Sequence, residues 1–386
     1  MTELSREDSA SLAEALRKAL QEQYAFASGR KLELANGPGQ SPAVSALLSG
    51  LGLNGLMLPE IHGGFGGGVA DLQRVQRELG RALVVSPWFD SMLAAQAVLL
   101  AGTPGQQREL LPALVEGNLS IALALDTGTA LDGAGQVVTA GQENAVWRLK
   151  GTRSSVFHAG SVDQLLVPAT ASDGKVGWFL VPAKQAEVRQ RAHRLVDGSW
   201  TAELAFDGAQ GEYLGSPEIA SQATASRLIR LLSIAGRCAE ALGAAEAALE
   251  MTVQYLRTRK QFGQALGDYQ ALRHRVAEMY IALEQARSAV ELAAEAVQAK
   301  DPGEASRRSA QAQLVASEAV TWVLQQAIQL HGGMGMTEEL AVGHYYRRML
   351  VLNALTGGVS GALANLFKRR HPRDDRSRSA AIACAA

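Results

Sequence analysis

The chain has 386 residues, enough for two or three domains rather than one. Hydrophobic residues make up 47% and charged residues 19%, which excludes an unfolded, charge-dominated polymer. Lys+Arg 37 against Asp+Glu 38 leaves a net charge of -1, with no global pull toward nucleic acid or anionic lipid, and two cysteines exclude a disulfide framework or a multi-cysteine metal site.

The first twenty residues are polar and amphipathic and carry no signal-peptide core. Apolar runs are interrupted before the roughly 18–20 residues a membrane span requires. A cytoplasmic protein without membrane contact is expected. Residues 1–115 read as a helical domain, because segments such as Asp71 to Ala82 and Gln106 to Val115 carry apolar residues at three- and four-residue spacing. Between the helices, Gly63 to Gly68 fits no dinucleotide fingerprint and reads as a turn.

The period changes near Gly117. Short strand-like runs follow at Leu119–Leu125, Gln136–Ala140, Ala145–Lys150, Gln164–Val167, Gly177–Val181 and Trp200–Phe206. In the last, Trp200, Ala202, Leu204 and Phe206 share one face. Residues 116–212 therefore read as a small antiparallel barrel or sandwich, with no parallel-sheet signal. Helical period returns from Ser221. One stripe runs from Cys238 to Leu256 and a second from Leu272 to Val297; a third helix spans Glu304 to Leu330 and a fourth follows Gly335. Residues 213–370 read as a four-helix bundle, and 371–386 as a mixed-charge, disordered tail. The predicted fold class is α+β.

Two segments in the bundle carry possible chemistry. Arg259-Lys260-Gln261-Phe262-Gly263 closes a long helix. Basic residues with Gly263 at C′ are ordinary helix-end chemistry, but Arg259 also suits bidentate pairing with a diphosphate. Gln329-Leu330-His331-Gly332-Gly333-Met334-Gly335 has more glycines than one cap requires, so a backbone there can approach a ligand closely. His331 by itself reads more readily as a structural histidine than a catalytic one. The seven histidines form no metal-ligand spacing, and no GxSxG elbow is present.

With Pro59-Glu60-Ile61-His62-Gly63-Gly64-Phe65-Gly66, the Tyr255 to Gly263 segment, Tyr269-Gln270 and the Ala327 to Glu339 segment, the chain resembles the acyl-CoA dehydrogenase family over about residues 1–370. More narrowly, it is similar to the small subunits of two-chain enzymes of the pimeloyl-CoA dehydrogenase type. The resemblance implies a helical domain, a middle β domain and a four-helix bundle. It also implies FAD as hydride acceptor, an acyl-CoA substrate, a trans-2-enoyl-CoA product and an electron-transferring flavoprotein as partner. By motif position Arg259, Gln261, Phe262, Gln329 and Gly333 correspond to ADP-side contacts made to a neighbouring subunit's FAD. Tyr269 and Gln270 correspond to a further flavin-contacting pair.

The family's catalytic glutamate is missing from both its usual places. Thr356 stands at the common base position and Ser233 at the alternative one on the first bundle helix. A threonine hydroxyl cannot take a proton from carbon at neutral pH without help. The β domain departs as well: Asp126-Thr127-Gly128-Thr129 and Ser155-Val156-Phe157-His158 replace flavin-contacting segments. Three readings follow. The chain works in a heteromer whose second acyl-CoA dehydrogenase subunit supplies the base; or it is an autonomous homo-oligomer using Asp126 or His158; or it is a non-catalytic structural subunit.

Overall fold

The computed structural model describes residues 4–26, 41–125, 138–172, 174–215 and 221–370. The tail expected to be disordered, 371–386, and Asp126 to Thr129 lie outside the described residues. Helices α1 (Arg6–Gln23), α2 (Pro42–Gly50), α3 (Val69–Arg81), α4 (Trp88–Ala101) and α5 (Pro104–Val115) come first. Their starts follow from local chemistry. Ser41 and Thr103 accept N–H bonds from the first turns of α2 and α5, each with a proline one residue on, whose missing N–H costs nothing there. Helix α4 is apolar on nearly every side and is accordingly buried.

Strands β1 (Ile121–Leu123), β2 (Thr139–Glu143), β3 (Val146–Phe157), β4 (Gln164–Ala171), β5 (Val176–Pro182), β6 (Val188–Arg194) and β7 (Trp200–Tyr213) form one sheet. Its order is β1-β4-β2-β3-β7-β5, and an additional β4–β5 pairing closes it into a barrel. The expectation of a purely antiparallel sheet is corrected here: β4 pairs in parallel with β1 through Leu165 and Ala122, and with β2 through Thr170 and Thr139. Both parallel contacts span only two or three residues, too few to leave a long apolar run in the sequence. Strand β6 was not foreseen, because VRQRAHR is polar and pairs on one edge only, with β7. The alternation of β7 holds: Ala202, Leu204 and Phe206 are buried and Glu203 is exposed.

Five α-helices follow among the described residues: α6 (Ser221–Thr258), α7 (Gln270–Gln298), α8 (Pro302–His331), α9 (Ala341–Thr356) and α10 (Gly358–Arg370). The fourth expected helix is therefore two, parted at Gly357 and Gly358, whose φ angles are +82° and +53°. Residues Met279, Leu283, Ala286, Val290 and Ala293 of the α7 stripe are all buried. Helices α3 and α6 cross at unusually short range, where a Cβ on Gly243 would lie 1.9 Å from the Arg77 carbonyl oxygen. One apolar stretch, Ala341–Phe367, reaches a mean hydropathy of 1.4 over an 18-residue window, which the sequence reading missed. It bends at Gly357 and carries the buried Arg348, so it does not form one straight apolar helix.

Candidate functional site

The ends of α6 and α8 lie side by side, because Tyr255 and His331 stack with ring centroids 4.6 Å apart. Helix α6 stops at Thr258, and residues 260–265 then form a tiny hairpin, β8 (Lys260–Gln261) paired with β9 (Gln264–Ala265). Phe262 and Gly263 both have positive φ, +55° and +87°, the signature of a two-residue type I′ turn. Gly263 is thus a turn residue and not a helix cap. The hairpin holds Phe262 91% exposed. Arg259, at its base, is exposed, and among the described residues its guanidinium has no partner.

Tyr269 braces the same hairpin, its hydroxyl donating to the Gln261 carbonyl at 3.1 Å. Gln270 is exposed at the first position of α7. Gln329 and Gly333 are exposed at the end of α8, where Gly332 takes φ +59° and a Cβ on Gly333 would meet nothing within 4 Å. An unpaired guanidinium, a free amide, open glycine backbone and a bare aromatic ring make a donor set that fits the nucleotide half of FAD.

The two base positions are committed to structure. Thr356 donates its hydroxyl to the Leu352 carbonyl at 3.0 Å, and its own carbonyl accepts from Gln313 at 2.7 Å. The Ser233 hydroxyl accepts from Arg237 Nε at 3.2 Å. Neither group is a base, and neither is idle.

Between the helical region, the barrel and the bundle lies a buried ion cluster that the sequence reading did not find. Arg348 on α9 donates to Glu240 on α6 at 2.7 Å and to Asp197, in the β6–β7 turn, at 2.9 Å. Arg237 reaches Asp90 on α4 at 3.5 Å. Arg237, Glu240 and Arg348 sit on otherwise apolar faces, which was the only available hint. Burial pushes Asp90 up to about 6, against the pull of Arg237. Burial would raise Asp197 too, but Arg348 and hydrogen bonds from Ser199 hold it below the usual range.

His158 borders this cluster with φ +57° and a buried Nδ1 that has no partner among the described residues. Burial, reinforced by Arg348, lowers its pKa to about 3, so it is neutral and a poor base. Phe157, His158, Asp90, Arg237, Glu240 and Arg348 line a cavity of about 30 Å³. That is room for about one water and not for a flavin ring. The residues present therefore fit FAD at the bundle end and do not fit its ring beside Phe157 and His158.

Comparison with known proteins identifies the family. The model of the acyl-CoA dehydrogenase N-terminal domain matches residues 6–118, and that of the C-terminal domain matches residues 235–370. Acyl-CoA dehydrogenase IpdE2 of Mycobacterium tuberculosis is 33% identical over 300 residues, 77% of either chain. A chain of the ChsE4-ChsE5 complex from the same organism superposes with a TM-score of 0.84 at 27% identity, covering 97% of this chain and 99% of that one. A chain of a single-substitution variant of the Tcur3481-Tcur3483 steroid ACAD gives 0.83 at 29% identity, covering 94% and 97%. The chain belongs to the acyl-CoA dehydrogenase family, FAD-dependent oxidoreductases that act on a CH–CH group.

Proposed function

We propose that this chain is one subunit of a heteromeric acyl-CoA dehydrogenase, forming a trans-2-enoyl-CoA, in which a partner chain supplies the catalytic glutamate. The observation that carries the reading is the closed, self-paired cluster around Arg348, together with Thr356 and Ser233 at the two base positions. Every carboxylate of that cluster faces an arginine, and His158 binds protons too weakly to serve instead. The autonomous reading loses its one described suspect. The other, Asp126, lies outside the described residues.

Bound FAD supplies the hydride acceptor for the acyl β-carbon. This chain's part is to hold the nucleotide end across the subunit boundary. Arg259 pairs with the diphosphate, and Gln261, Phe262, Gln329 and Gly333 complete the contact. Tyr269 and Gln270 flank it, Tyr269 by keeping the hairpin in shape. The two-chain names of the solved relatives support a second acyl-CoA dehydrogenase chain as partner, and the steroid ACAD supports an acyl-CoA from fatty-acid or steroid side-chain breakdown. We assign an electron-transferring flavoprotein as the electron acceptor.

The purified chain with added FAD is expected to show negligible acyl-CoA oxidation. Activity is expected in the complex co-purified with its partner and is expected to vanish when the partner's active-site glutamate becomes glutamine. Arg259→Ala in this chain lowers the flavin content of that complex. Robust turnover by the isolated chain overturns the reading.

A further inference from the structure

The two nucleotide-facing segments leave different helices, and one contact joins them at their roots. Tyr255 lies one turn before Arg259, whose N–H donates to the Tyr255 carbonyl at 2.9 Å. His331 is the last residue of α8, two positions after Gln329 and two before Gly333. Their rings stack at 4.6 Å with an interplanar angle of 28°. His331 is 3% exposed, and its Nδ1 lies 2.8 Å from the Ala327 carbonyl. A carbonyl only accepts, so Nδ1 carries the proton. Burial lowers the pKa, outweighing the Ala327 carbonyl that favours the charged form, so the ring is neutral at pH 7. It is thus fixed in tautomer, in orientation and in depth.

Below the pair, Leu256 and Leu330 pack in the bundle core and hold the two helices together; beyond it, toward the segments themselves, the described residues show little that sets their spacing. The hairpin tip is exposed, and Gly332 and Gly333 touch nothing where a side chain would be. On the far side Gly335 is packed tightly, a Cβ there falling 2.6 Å from the Ile328 carbonyl and 3.2 Å from His331 Cβ. The glycine loop is therefore held at its near end by His331 and at its far end by the close packing of Gly335, with Gly332 and Gly333 open between them.

We propose that the Tyr255–His331 stack is the joint that fixes the distance between Arg259 and the Gln329–Gly333 loop, which makes His331 a positioning residue for the dinucleotide. The proposal rests on the cross-subunit reading above. The complex, purified with its partner chain and stripped of flavin, is titrated with FAD by flavin fluorescence. His331→Ala raises the Kd by about five- to tenfold while subunit composition stays unchanged. His331→Phe keeps a flat ring against Tyr255 without the bond to Ala327, and stays within about twofold of wild type.

Should His331→Ala fail to assemble, His331→Leu against His331→Phe decides the matter, since leucine has bulk but no flat face. A wild-type Kd in the Ala or Leu variant overturns the proposal. So does a Phe variant as weak as either. Arg259→Ala, titrated alongside, separates the two ideas. If it too leaves the Kd unchanged, the cross-subunit reading fails; if it alone weakens FAD, only the joint fails.

Discussion

Arg348 and Asp197 are 151 residues apart in the chain and 2.9 Å apart in space. The pair ties the barrel's β6–β7 turn to the bundle, and the bond from Arg348 to Glu240 carries the tie on to α6. Arg348 is pushed further into its charged state, because the two carboxylates outweigh the cost of burying it. Arg348→Leu leaves Asp197 and Glu240 buried without a counter-charge. It is expected to destabilise the chain by about 3–5 kcal/mol, read from the urea midpoint. Adding Asp197→Asn and Glu240→Gln to the same chain is expected to recover part of that loss. A single variant as stable as wild type contradicts the tie.

His158 and Asp90 set opposing pH dependences. Folded His158 is held near 3 against 6.5 for the free group, so the unfolded chain binds the proton first and stability drops as pH falls between those values. Folded Asp90 stands near 6 against 3.8, so the folded chain binds first and stability rises as pH falls through that window. Going from pH 7 to pH 5, the histidine costs about 2 kcal/mol and the aspartate offsets about 1 kcal/mol. His158→Leu removes the first effect. Its urea stability at pH 5, measured relative to pH 7, is expected to exceed the wild-type difference by about 2 kcal/mol. Parallel curves for the two proteins speak against a buried neutral histidine.

Phe262 combines a positive φ with nearly complete exposure, so in the isolated chain its ring contributes strain and little packing. Phe262→Asn suits a type I′ turn and is expected to raise the melting temperature of the isolated chain slightly, by the equivalent of about 0.5–1 kcal/mol. The same change is expected to lower the flavin content of the complex, because the ring no longer meets its partner. A variant that is neutral in both assays removes the ring's assigned role.

Thr356→Val deletes one bond from a hydroxyl to its own helix, that to Leu352. The complex is expected to keep its kcat within about twofold, since a base is worth a factor of 10² or more and this residue is not one. Thr356→Glu is the complementary variant: because the cavity beside Phe157 and His158 has no room for a flavin ring, the isolated chain is expected to stay inactive even with a carboxylate there. A hundredfold loss of kcat in Thr356→Val identifies the hydroxyl as a participant after all.

Much of the architecture was legible in the amino-acid order. The Met279-Leu283-Ala286-Val290-Ala293 stripe and the Ala202-Leu204-Phe206 alternation are periods of 3.6 and 2, and each reports burial within its own element. The segments around Arg259 and after Gln329 stood out because they are local patterns, although Gly263, read as a helix cap, is a hairpin turn residue. What only the tertiary structure decided lies between elements. Nothing in the sequence around Asp90, His158, Asp197, Arg237, Glu240 or Arg348 marks them as neighbours, because ion pairing depends on distances set when three layers dock. The short parallel pairings of β4 and the stack of Tyr255 on His331 are of the same kind. Local periodicity determines which face of each element is buried; which buried groups then meet depends on contacts between residues tens to more than a hundred positions apart, and those leave no period to read.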